Sequence, residues 1–240
     1  MTEFCKYSDV IFDAFCLHSK RREIIDRKHE IIDKIVEFYN SGVDSVLFVG
    51  FNPAILSFKA KEIYVTEISD TVFNWLTAQN INVKLLDIAE PKKFDLVVAF
   101  DEYLTFAASE SEQKLQIDTL CKFTSGMIIT TVKDYKNQDF KDREYSQPAM
   151  IKTNGQLTAF TEIHDWDQQD KNLWQTALYQ LSGMTSACRG IYNRRTLFFK
   201  QLAKFTMDAG ASNFLVHKNL MYKSLIKKNY EHVISIHFEN

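Results

Sequence analysis

The 240-residue chain predicts an α/β fold: a doubly wound, mostly parallel seven-stranded sheet, with a hairpin-plus-helix insertion after the fifth strand. Three observations predict it. Short apolar runs alternate with helical patterns from Ser45 to Val132, as in a parallel sheet covered on both faces. Each of the five runs ends in a polar or flexible cluster, at Gly50, Glu67, Asp87, Asp101 and Lys133. The alternation then stops, and resumes at Arg195 with a helix and two strand candidates.

Composition sets the class of protein. Hydrophobic residues make up 45% and charged residues 25%, the ordinary range for a folded soluble chain. A formal charge of −2 lacks the basic excess that tracks a phosphate backbone. Cys5, Cys16, Cys121 and Cys188 show no CxxC spacing and no His ligand pattern, so reduced thiols in a cytoplasmic protein, and no metal site, are expected. The start Met-Thr-Glu-Phe-Cys-Lys is not a signal peptide, and no apolar run reaches membrane-spanning length.

In chain order, residues 1–44 are expected to hold two helices packed on the core. Phe4, Tyr7, Val10, Ile11 and Phe15 mark the first, and Ile24 to Tyr39 an amphipathic second that stops near Gly42. The core domain spans 45–132. Ser45–Val49 is its first strand, buried on both faces. Asn52 caps a short helix with Pro53 at its first position, where no donor is needed. Glu62–Thr66 is the second strand, and Ser69 or Asp70 caps a helix through Leu76. Asn82–Leu86, Phe94–Phe100 and Met127–Val132 complete the set. Ser109 and Glu112 form a capping-box spacing ahead of the helix before the last of these.

Residues 133–194 form a cap on the substrate side. Asn154-Gly155 is a hairpin signal between Ala149–Thr153 and Gln156–Ile163. The spacing of Leu173, Trp174, Ala177, Leu178 and Leu181 predicts a helix over Asp170–Leu181, and Ser182–Asn193 a loop. The core then ends over 195–240, with a helix at Arg195–Met207 stopped by Gly210, and strands at Phe214–His217 and Val233–Phe238.

In an open parallel sheet ligands bind outside the carboxyl ends of the strands, so the strand-end residues are the candidate site. Glu67 follows Gly50 by seventeen positions, near the spacing of a ribose-binding carboxylate. Asp101, with Glu102 and Tyr103 beside it, is placed to orient a substrate or take a proton. Glu162 and His164 share one face of a strand, and His164 is a candidate base because its pKa suits neutral pH.

This ordered set resembles a class I S-adenosylmethionine-dependent methyltransferase over residues 22–132 and 195–240. The resemblance implies S-adenosylmethionine as cofactor. It would be bound by Gly50, Phe51 and Asn52 of the glycine loop, Glu67 and Ile68 at the ribose, Asp87 and Ile88 near the adenine, and Asp101 beside the methionine moiety. Asp101, Tyr103 and His164 would serve the transfer. The family's loop reads acid-x-Gly-x-Gly-x-Gly; here Phe48 stands at the acid, and Asn52 and Ala54 at the second and third glycines. The implied reaction is SN2 methyl transfer to a small-molecule acceptor, with nucleic acid and protein acceptors open and no membrane partner. The alternative is a methyltransferase-like module that binds or assembles without catalysis.

Overall fold

The computed structural model describes residues 2–39, 42–86, 92–133, 135, 142–227 and 230–239. Asp87 and Ile88, assigned above to the adenine, lie outside the described residues.

Seven strands form the main sheet: β1 Ser45–Val49, β2 Glu62–Thr66, β3 Val83–Leu85, β4 Phe94–Ala99, β5 Thr124–Val132 and, after the insertion, a final pair at Asn213–Lys223 and Tyr230–His237. Their spatial order is Val83–Leu85, Glu62–Thr66, Ser45–Val49, Phe94–Ala99, Thr124–Val132, Tyr230–His237, Asn213–Lys223. The first five strands pair in parallel, and Tyr230–His237 runs antiparallel to both of its neighbours. The reversal comes from the terminal hairpin: its last strand slots between β5 and its own partner. The sheet class, its seven strands and the reversed finish follow the sequence reading. The continuous apolar runs have the expected cause, since Val46, Leu47, Phe48, Leu96, Val97 and Val98 are all buried.

Among the described residues five α-helices surround the sheet. α1 (Glu3–Leu17) is capped by the Thr2 hydroxyl, which accepts from Cys5 N at 3.0 Å. α2 (Arg21–Phe38) follows directly. Ser69 caps α3 (Asp70–Ala78), and Ser109 caps α4 (Glu110–Lys122), accepting from Glu112 N at 3.1 Å. The return half of the capping box is shifted by one residue: Glu112 accepts from Ala108 N, at 2.7 Å. α5 (Phe199–Asp208) ends at Gly210, whose φ of 97° is the left-handed stop expected there. After β1 the predicted helix is a single 3-10 turn, Pro53–Leu56. Gly126 does not end α4. It lies inside β5, where a Cβ would stand 2.5 Å from the Asp95 carbonyl of β4.

The insertion is an antiparallel sheet: β6 Arg143–Tyr145, β7 Ala149–Thr153, β8 Gln156–Trp166, β9 Leu173–Ser182 and β10 Thr185–Arg195. The closing strands of the main sheet are therefore β11 (Asn213–Lys223) and β12 (Tyr230–His237). The Asn154-Gly155 hairpin is present, both residues left-handed at φ 49° and 81°. The helix expected at Asp170–Leu181 is a correction: those residues lie in β9, and the loop expected at Ser182–Asn193 is largely β10. Trp174, Thr176 and Leu178 are the buried positions of β9, a two-residue period. Thr176 hides it, because a polar residue on the inward face leaves the apolar ones at helical spacing.

α1 is held between core and insertion. Phe4, Tyr7, Val10, Ile11 and Phe15 are buried, and Asp13 pairs with Arg189 of β10 while Glu3 accepts from the Asn193 backbone N at 2.8 Å. Among the described residues no helix is long and apolar enough to cross a membrane.

Candidate active site

The strand ends at Gly50, Glu67 and Asp101 meet along one edge of the sheet. Three non-glycine residues in the turns there are left-handed: Glu67 at φ 56°, Asp101 at 58° and Glu102 at 56°. Such backbone costs energy and clusters at functional sites. Gly50, at φ 79°, lies against α1; a Cβ on it would stand 2.6 Å from the Phe4 ring. Phe51 N donates to Ser8 Oγ at 2.6 Å, and Asn52 Oδ1 accepts from Ala54 N at 2.9 Å, capping the turn that follows. The chain's own first helix thus takes up the Phe51 N–H, the buried Asn52 Nδ2 has no hydrogen-bond partner among the described residues, and Phe51 is buried against Phe12 and Trp75.

Beside it opens a cavity of about 500 Å³ between Thr2 and Phe4 of α1 and Glu67, Tyr103 and Phe106 of the core. Its size is that of a small-ligand site. The Thr2 hydroxyl donates to Glu67 Oε2, and burial pushes the Glu67 carboxyl above its ordinary value. Ile68 packs in the core beneath. Tyr103 is buried with its ring edge-on to Phe4, and burial raises its phenol. These residues fit the nucleoside half of the implied cofactor: a slot of adequate volume with aromatic walls, lined by Glu3, Glu67 and Glu112, of which Glu67 at the strand end can accept both hydroxyl protons of a ribose diol. Asp101 is buried and lines neither this cavity nor the next. Tyr222 of β11 donates to its Oδ2 at 2.5 Å, and Oδ1 has no hydrogen-bond partner among the described residues.

On the other side of the β4 turn lies a small, charged chamber lined by Glu102, Glu162, His164, Arg194, Lys227 and Glu231, with Lys133, Trp166 and Trp174. Glu102 is its hub. Arg194 Nη2 stands 3.3 Å from its Oε2, Lys227 Nζ bonds the same oxygen, and Tyr135 OH donates to Oε1 at 3.1 Å. Burial pushes the Glu102 carboxyl up, but Lys227 and Arg194 outweigh it and hold it well below the usual range. Glu162 accepts from Tyr7 OH at 3.0 Å and lies 3.8 Å from Arg194 Nη1. Arg194 also stacks over Phe106, 4.2 Å from the ring centroid.

His164 faces this chamber from β8, with Nδ1 3.0 Å from Thr176 Oγ1 and Nε2 3.6 Å from Glu162 Oε2. Burial lowers its pKa, against the pull of Glu162, so the ring is neutral at pH 7. Burial and the Glu102 charge push Glu231 up to about 8, so this carboxyl keeps its proton at neutral pH. Both of its oxygens lack a hydrogen-bond partner among the described residues. No group of three or more His, Cys, Asp or Glu side chains among the described residues is arranged to hold a metal.

The structure therefore separates the sequence candidates. Glu67 and Tyr103 share one cavity, His164 sits in the other, and Asp101 is tied to Tyr222. Sequence reasoning missed Arg194, Lys227 and Glu231. Only the juxtaposed Arg194-Arg195 pair stood out locally, and it sat at the border of a segment read as loop and helix.

No family model matches the chain, and no curated protein matches it. Solved structures do. DesVI of Streptomyces venezuelae superposes with a TM-score of 0.72 at 11% identity, over 97% of this chain and 98% of its own. The sugar N-methyltransferase KedS8 of a Streptoalloteichus species gives 0.66 at 9% identity, covering 90% and 88%. An S-adenosylmethionine-dependent methyltransferase of Clostridium acetobutylicum gives 0.63 at 11%, covering 90% and 92%. The chain has the Rossmann-like fold of class I S-adenosylmethionine-dependent methyltransferases, along nearly its whole length.

Proposed function

We propose that the protein is an S-adenosylmethionine-dependent methyltransferase that modifies a small molecule held between the sheet edge and the insertion. One observation carries the reading. Glu102 and Tyr103 are adjacent at the end of β4, yet Tyr103 lines the cavity beside Glu67 and Glu102 lines the charged chamber. A single turn thus parts a nucleoside-sized slot from a polar one, the arrangement a two-substrate transfer needs. Two structural neighbours are described as methyltransferases of an amino pentose and of a sugar, which supports a small acceptor.

Glu67 holds the ribose diol, and the cofactor supplies an electrophilic methyl group. In the chamber, the neutral His164 accepts the acceptor's proton, and Glu162 at 3.6 Å stabilises the imidazolium that forms. Glu102, clamped by Arg194 and Lys227, stays ionised and orients a donor on the acceptor. Calorimetric titration with S-adenosylhomocysteine tests the reading: saturable binding supports it, and none with folded protein overturns it.

A second reading is favoured by a specific contact. The Phe4 ring against Gly50, and the Ser8 bond to Phe51 N, pack α1 onto the glycine loop that the resemblance assigns to the cofactor. In a binding module without catalysis this contact is permanent. In an enzyme the first turn of α1 yields when cofactor arrives. Phe4→Ala separates the two: it strengthens homocysteine-nucleoside binding if the ring is a displaceable cover, and leaves no binding if the loop has lost its ligand.

A further inference from the structure

A second cavity, of about 430 Å³, adjoins the charged chamber and shares Lys227 and Tyr230 with it. One wall is the face of α2 that carries Ile24, Arg27, Lys28 and Ile31 at i, i+3, i+4 and i+7. Opposite stand Ala149, Met150 and Ile151 of β7, with Met221, Lys223, Ser224 and Leu225 closing the end. The lining is aliphatic and cationic, and none of its described side chains is acidic.

Two of its groups ask for a ligand. Lys28 is buried, with no carboxylate in ion-pair reach among the described residues; its ammonium donates to the Lys223 carbonyl and stands 3.2 Å from the Tyr222 ring centroid. Burial of a cation is costly, and brings Lys28 down to about 8 against the pull of Asp101 and Glu231. Ser224 is 3% exposed, and its hydroxyl has no hydrogen-bond partner among the described residues. An anion placed between them would satisfy both, with Lys223 near. The other cations of the lining are less free, since Arg27 pairs with Glu23 at 2.7 Å and Lys227 with Glu102.

We infer that this cavity binds an amphiphilic anion, an aliphatic chain ending in a carboxylate or phosphate. The headgroup is held by Lys28 and Ser224, and the chain lies over Ile24, Ile31, Ile151 and Leu225. A nucleotide is the poorer occupant, because among the described lining residues only Tyr230 and His18 could stack a base. The inference rests on the cavity alone. It holds whether or not methyl transfer occurs.

The test is binding by calorimetry to the full chain, with decanoate, decyl phosphate, decanol, inorganic phosphate and uridine monophosphate as probes. Decanoate or decyl phosphate should bind, whichever is tighter identifying the headgroup, with the other three at least about tenfold weaker. Lys28→Met, which keeps the stem's packing, should weaken the anion by about tenfold or more, the worth of a charge-assisted hydrogen bond. Ile31→Trp, on the half-buried face of α2, should block the chain and lower affinity with Lys28 intact. Thermal unfolding of each variant checks that it folds. Equal binding of decanol, tighter binding of the nucleotide, no binding by folded wild type, or an unchanged affinity in folded Lys28→Met would each overturn the proposal.

Discussion

The two cavities flanking the β4 turn are built on opposite principles. The one beside Glu67 has aromatic walls, Phe4, Tyr103 and Phe106, and its carboxylates, Glu3, Glu67 and Glu112, face no basic side chain of the lining. The one around Glu102 packs three basic side chains, three carboxyl groups and an imidazole into a nearly closed space. The first can accept a ligand by hydrophobic burial and one directed contact. The second spends its polarity on itself: Glu102 is bonded by Arg194, Lys227 and Tyr135 before any ligand arrives. The difference teaches where each side is vulnerable. Losing the Glu67 contact of the first should cost affinity, and losing a charge of the second should cost the fold.

The largest expected effect is therefore at Arg194. Arg194→Met should destabilise the protein by about 3–5 kcal/mol, because Glu102 and Glu162 lose a buried counter-ion. Urea unfolding measures it, and a loss below about 1 kcal/mol, the level of a surface pair, would break the contrast. On the other side, Glu67→Ala should weaken S-adenosylhomocysteine by about tenfold or more while leaving the urea midpoint nearly unchanged. A large stability loss there would make Glu67 structural.

Two smaller effects sharpen the charged side. The Glu231 carboxyl holds its proton up to about pH 8 in the folded chain but releases it near 4.5 when unfolded. The unfolded state then binds fewer protons across that window, so this group's contribution to stability falls as pH rises through it. Glu231→Gln should raise the thermal midpoint at pH 8 more than at pH 5; an equal effect at both would place Glu231 outside this linkage. His164 should titrate by NMR with a midpoint below 6.5, since burial outweighs Glu162. A midpoint above 6.5 would give the ion pair the upper hand and remove the neutral base.

Much of the sheet was legible because parallel strands buried on both faces leave unbroken apolar runs, as at Val46–Val49 and Phe94–Ala99. Glu67, Asp101 and Tyr103 were legible as strand-end residues because they stand next to their runs in sequence; that Glu67 and Tyr103 line a cavity and Asp101 lines none was not. The insertion was not legible. β10 is mostly exposed and polar, and is a strand only because its backbone pairs with β9. Trp174 and Leu178 of β9 look helical until Thr176 is seen to be buried, donating nothing apolar but receiving the Trp174 Nε1 bond at 2.9 Å.

By itself, then, the sequence determined the core: which runs are strands, the order of polar strand ends, and the single glycine that lets the chain turn at residue 50. Tertiary structure alone decided the charged chamber. Glu102 and Arg194 are 92 residues apart, Glu102 and Lys227 125 apart, and Tyr7 and Glu162 155 apart. Nothing local marks such partners. Each is an ordinary charged or phenolic residue until the fold excludes water around it, and only burial turns that set of charges into a site.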